Sequence, residues 1–115
     1  MNRLLLFVVF TIAACAASPK HVGSDPVTIG DWCGDVGRKF CDTMVSRCMR
    51  NLAGFADGCR ESFVPSCVAG RGEAEPAGRT YDELHACLQH VDGLSCEGLA
   101  GGVGSGELLE KCGVR

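Results

Sequence analysis

Aromatic side chains are scarce: one Trp, one Tyr and five Phe in 115 residues. So few rings cannot fill a large core, and a small domain of this kind needs reinforcement. Positive charge is not in excess either. Lys and Arg number 11 against 14 Asp and Glu, for a net charge of −3. Such a balance exerts no long-range pull on nucleic acid, and no nucleic-acid partner is expected. No apolar run is long enough to cross a bilayer. The stretch "LLLFVVFTIAA", residues 4–14, covers about half of what a spanning helix needs. Short catalytic signatures are missing as well. There is no C-x-x-C pair, no G-x-S-x-G, and no Lys-Ser/Thr after the glycine-rich stretch at residues 98–106. The usual marks of a zinc site, a thiol oxidoreductase, an α/β hydrolase and a phosphate loop are therefore absent. No cofactor and no metal are expected, and the chain reads as non-enzymatic.

What the chain does have is cysteine, nine of them. Their context is set at the N-terminus. Arg3 followed by residues 4–14 has the charge and length of an export signal. Export leads to an oxidising compartment, where disulfides persist. The signal peptide is expected over residues 1–14. Cys15, at its exit, admits two readings. Ile12-Ala13-Ala14-Cys15 resembles a bacterial lipobox, an aliphatic residue and two small ones before the cysteine that receives a diacylglycerol. Cleavage then falls between Ala14 and Cys15, and the protein is held on a membrane by the lipid. Ala14-Cys15-Ala16 is also an ordinary A-x-A cleavage site, and Cys15-Ala16-Ala17 resembles one; cleavage at either would release a secreted protein. Under either reading eight cysteines remain for pairing, enough for four disulfides. Residue 16 is Ala rather than Asp, which by resemblance to Gram-negative lipoproteins permits sorting to the outer membrane.

Residues 15–30 carry the candidate lipidated cysteine and then small residues, Gly and Pro without apolar periodicity, and read as a flexible tether. The domain is expected over residues 31–115 and is all-α. A first helix, residues 31–52, is capped by Asp31 and places Cys33, Gly37, Phe40, Cys41, Met44, Cys48 and Leu52 on one stripe. A second, residues 58–69, starts at Asp57 and carries Pro65, where a kink or break is expected. A third starts at Thr80 with Glu83 in a capping box and stops at Gly93. A short turn near residues 95–99 follows, and then a C-terminal helical turn over 106–112, for which Ser105 is a candidate cap. No segment alternates like a strand. The fold class is thus a small disulfide-braced helical hairpin with a third helix and a C-terminal turn.

Eight cysteines allow roughly a hundred pairings. An antiparallel hairpin of the first two helices would face Cys48 with Cys59 near its turn and Cys41 with Cys67 two turns away. Cys33–Cys87 and Cys96–Cys112 would then tie the third helix and the tail to the hairpin. The cysteine spacing, with "ACLQHVDGLSC" at residues 86–96 and "KC" at 111–112, resembles that of uncharacterised small cysteine-rich bacterial lipoproteins. That resemblance implies a lipid-anchored helical scaffold and no particular activity.

The remaining candidates weigh little. His85 and His90, five apart, fall on different sides of a helix around Cys87. Ser62, Ser66, Ser95 and Ser105 have no catalytic context, and Asp82/Glu83 and Glu73/Glu75 suit a helix start and a solvated loop. Arg38, Lys39, Arg47, Arg50 and Arg60 alternate with Asp35, Asp42, Asp57 and Glu61, as on a solvated face. The expectation is a non-enzymatic, lipid-anchored envelope protein of interaction or structural role; the alternative is a freely secreted cysteine-rich effector or inhibitor. A membrane, reached through the N-terminal lipid, is the expected partner, and a protein partner of unknown identity stays open.

Overall fold

The computed structural model describes residues 22–104 and 106–115. Among the described residues five α-helices and one two-stranded sheet follow in the order β1 (Pro26–Thr28), α1 (Ile29–Cys48), α2 (Phe55–Val68), β2 (Pro76–Thr80), α3 (Tyr81–Asp92), α4 (Cys96–Ala100) and α5 (Gly106–Cys112). A 3-10 turn, Arg50–Leu52, links α1 to α2.

α1 is the central element. It packs on α2 along one side and on α3 and α4 along another. Trp32, Cys33, Val36 and Cys41 are fully enclosed, and Phe40 and Val45 nearly so. From the single stripe expected for this helix Cys33, Gly37, Phe40 and Cys41 are buried, and Trp32, Val36, Thr43 and Val45 are buried beside it. Leu52 and Cys48, placed on that stripe, are exposed, because the helix stops at Cys48 rather than at 52. Met49 leaves helical geometry (φ −136°, ψ 48°).

The domain begins earlier than residue 31. Val27 and Ile29 lie in the core, at 1% and 0% exposure, so the end of the expected tether is folded. β1 pairs antiparallel with β2, Pro26 opposite Thr80 and Thr28 opposite Pro76. Thr28 ends β1 in extended geometry, and its hydroxyl accepts from the Asp31 amide at 3.3 Å. Thr28 is thus the cap of α1, and Asp31 sits in the first turn, where its charge suits the helix dipole.

α2 runs through Pro65 without a break. Proline removes the bond to the carbonyl of Glu61, and both residues face solvent, where water can serve that carbonyl. The capping box of α3 is formed as expected: Thr80 Oγ1 accepts from the Glu83 amide and Glu83 Oε1 from the Thr80 amide, both at 3.3 Å. Ser95 caps α4 through the Gly98 amide at 3.2 Å. The expected capping role of Ser105 lies outside the described residues.

The disulfides are Cys33–Cys67, Cys41–Cys59, Cys48–Cys96 and Cys87–Cys112. The expected pairs Cys41–Cys67, Cys48–Cys59, Cys33–Cys87 and Cys96–Cys112 are all replaced. The α1–α2 hairpin does carry two nested rungs, but its register is shifted. Both rungs are centred on residue 50, where α1 has already ended, not near Gly54. That register also matches spacings better, because Cys33 to Cys41 and Cys59 to Cys67 are both steps of eight. Cys48 is then past the last rung and reaches α4. Cys87 on α3 joins Cys112 at the end of α5. Each bridge restricts the unfolded chain and contributes about 2–4 kcal/mol.

One buried cation organises the C-terminal end. Arg79, on the inward side of β2, is 6% exposed. Its guanidinium donates to Glu83 Oε2 at 2.9 Å, to the Gly113 carbonyl at 3.0 Å and to the Glu110 carbonyl. It also lies 5.4 Å from the centre of the Trp32 ring. Trp32 Nε1 in turn donates to the Cys112 carbonyl at 2.9 Å. The last residues run beside β2, with the Arg115 amide on the Ala77 carbonyl at 2.9 Å. Gly78, at φ +71°, makes that approach possible: a Cβ there would stand 2.8 Å from the Arg115 side chain.

Candidate functional site

α2 is covered on one side only. None of its residues is fully buried. Cys59, Phe63 and Cys67 meet α1, and the Phe63 and Phe40 rings lie 5.7 Å apart. Gly37 on α1 allows this close approach, since a Cβ there would fall 2.7 Å from the Phe63 ring. The flank of α2 away from α1 opens into a cleft toward α5 and the loop before it. The cleft holds about 510 Å³ and is lined chiefly by Phe63, Cys67, Ala69, Val103, Leu109 and Val114. A shallower hollow of about 440 Å³ continues it along α2 past Ser62 to Phe55. The two share Phe63 and Ser66, so one apolar strip follows the helix. Phe55 and Leu109, at its two ends, are 56% and 50% exposed.

The cleft has the volume of small-ligand cavities. Its polar groups are already engaged. Ser66 Oγ donates back to the Ser62 carbonyl at 3.1 Å. Arg71, on the rim, donates to the Pro76 and Arg115 carbonyls, both at 3.2 Å, and stands 3.7 Å from Glu75. No carboxylate or imidazole is among the described residues of the lining. The arrangement can accept apolar groups and offers no pair for proton transfer there.

Elsewhere the charges pair on the surface. Lys39 meets Asp92 at 2.8 Å, and Arg60 meets both Asp42 and Asp57. Exposed pairs of this kind contribute little. Burial pushes the Asp35 carboxyl up, against the lowering effect of Arg38. Glu83 is held below its ordinary range, first by the hydrogen bond from Arg79 and then by the Thr80 amide. His85 contacts Gln89 at 3.1 Å and His90 stands 3.9 Å from Glu107, so the two histidines do not converge. Among the described residues no group of three His, Cys, Asp or Glu is placed to hold a metal ion.

The lipidation residue Cys15 and the cleavage pair Ala14 and Cys15 lie outside the described residues. The eight other cysteines are brought together in four pairs, so no described cysteine is left over for Cys15. Arg79 and the α2–α5 cleft were not marked in the sequence. Arg79 stands in a polar segment, and the cleft's walls come from residues forty apart. No family model, no curated protein and no solved structure matches this chain.

Proposed function

We propose that this chain is a non-enzymatic, lipid-anchored envelope protein. Residues 1–14 would direct export, a diacylglyceryl group on Cys15 would fix the mature chain to the membrane, and the disulfide-braced domain would act in contact or support at that surface. The observation that carries this reading is the run Ile12-Ala13-Ala14-Cys15 at the exit of the export signal, and cysteine parity is consistent with it. All eight cysteines of the domain satisfy one another, which leaves Cys15, behind Ile12-Ala13-Ala14, as the odd one. Four disulfides in so small a domain suit an exported protein. None of the described helices is long and apolar enough to cross a membrane. Acyl chains supply the affinity instead, at about 0.8 kcal/mol per buried methylene. The similarity of the cysteine spacing to small bacterial lipoproteins points the same way, with the outer membrane as the destination in a Gram-negative cell.

Cell fractionation tests the reading. The wild-type chain is expected in the membrane fraction and the Cys15→Ser variant, still exported, in the soluble fraction. Equal distribution of the two would refute anchoring through Cys15 and favour the secreted effector or inhibitor that cleavage at Ala14-Cys15-Ala16 would produce.

A further inference from the structure

The four disulfides differ in access. Cys33, Cys41 and Cys87 are at 0% exposure and Cys112 at 1%, so Cys87–Cys112 is sealed at both ends, while Cys33–Cys67 and Cys41–Cys59 each pair a sealed cysteine with a half-buried one. Cys48–Cys96 has none: both of its residues are exposed. A thiolate must reach a sulfur from the side opposite the bond it breaks, so access decides which bridge reacts without unfolding.

Charged residues flank this bridge in sequence. Cys48 is the last residue of α1 and Cys96 the first of α4. Arg47 crosses this junction, its guanidinium donating to the Leu94 carbonyl at 2.7 Å. Arg50 lies two residues beyond Cys48 and bonds back to the Ser46 carbonyl at 3.2 Å. These two cations stand against Glu97 beside Cys96, and Cys48 sits at the C-terminal end of α1, where the helix dipole opposes a thiolate, so access rather than charge singles out this bridge.

We propose that Cys48–Cys96 is a thiol–disulfide exchange site, opened by an external dithiol while the other three bridges stay closed. One thiolate of the dithiol attacks one protein sulfur, the Cys48–Cys96 bond breaks, and the second protein sulfur leaves as a thiolate that takes up a proton. The second thiol of the reagent then displaces the first protein sulfur. The products are two protein thiols and the oxidised, cyclised dithiol. The rest of the frame survives, because the two α1–α2 rungs and Cys87–Cys112 do not depend on this bridge. What loses its covalent tie is the segment around residues 94–104. Val103 and Gly104 in that segment form one wall of the apolar cleft. Opening the bridge therefore frees that wall.

The test treats the fully oxidised protein with dithiothreitol, traps thiols with iodoacetamide at successive times and maps the labelled peptides. Label at Cys48 and Cys96 is expected at least ~10-fold faster than at any other cysteine. The two-thiol species should keep its far-UV circular dichroism, with faster amide exchange confined to residues 94–104. The C48S/C96S variant should lack the fast phase and leave the three slow bridges unchanged. Label spread over all eight cysteines from the start, or appearing first at another pair, overturns the proposal, as does loss of the whole fold with the first bridge. Should C48S/C96S fail to accumulate, the wild-type time course decides alone.

Discussion

Replacing Arg79 with Met should cost this domain about 3 kcal/mol, far more than a loop arginine in the sequence would suggest. Methionine keeps most of the aliphatic length of the side chain and removes the charge. Three hydrogen bonds and a ring contact disappear. The Gly113 carbonyl is buried with Arg79 as its donor, and leaving it unpaired costs about 1–3 kcal/mol. The cation over Trp32, out of water, is worth about 1–2 kcal/mol. Glu110 is exposed and Glu83 is 35% exposed, so water replaces much of what those two acceptors lose. Against a typical net stability of about 5–15 kcal/mol the loss is large. Urea unfolding of the oxidised protein measures it, as a lower midpoint at unchanged slope. Arg79→Lys should fall between, since one ammonium cannot serve three acceptors in a fork. A loss below ~1 kcal/mol for Arg79→Met would refute the role assigned to this cation.

Other consequences follow from particular contacts. Glu83 is held low by Arg79, so its folded form favours the carboxylate; that stabilisation is present above the ordinary value of 4.5 and is lost as pH falls through the lower folded value. Asp35, raised by burial above 3.8, acts in the opposite sense over a similar range, so the comparison to make is wild type against Glu83→Gln, whose acid-side slope should be shallower. Gly37→Ala should destabilise by about 1–3 kcal/mol, because its Cβ would stand 2.7 Å from the Phe63 ring. Gly34→Ala, with nothing within 4 Å, should stabilise the same helix by about 0.5–1 kcal/mol in thermal unfolding. Equal effects at the two glycines would contradict the α1–α2 packing.

Local signals in this chain are legible and non-local ones are not. The Thr80–Glu83 box, the Gly93 stop and the C-terminal turn at 106–112 depend on neighbours in sequence, and the expected elements match the observed ones there. Val27 and Ile29 are isolated apolar residues in a Gly- and Pro-rich stretch, and their partner strand lies about fifty residues on. Nothing nearby marks them as core. The disulfide register turned on one boundary. Ending α1 at Cys48 instead of 52 moves the hairpin centre to residue 50, and every pair changes with it. Arg79 is hidden for a similar reason, because the carbonyls that hold it belong to the end of α5, more than thirty residues away. The α2 cleft is hidden likewise, because only the return of α5 makes the outer face of α2 concave.

The most direct test of lipid anchoring is the mass of the mature N-terminal peptide from protein made in its native host. A peptide that begins at Cys15 and carries a diacylglyceryl group, with or without an N-acyl chain, is expected. An unmodified peptide beginning at Ala17 or Ser18 would contradict lipid anchoring, and Cys15 would then have been discarded with the signal.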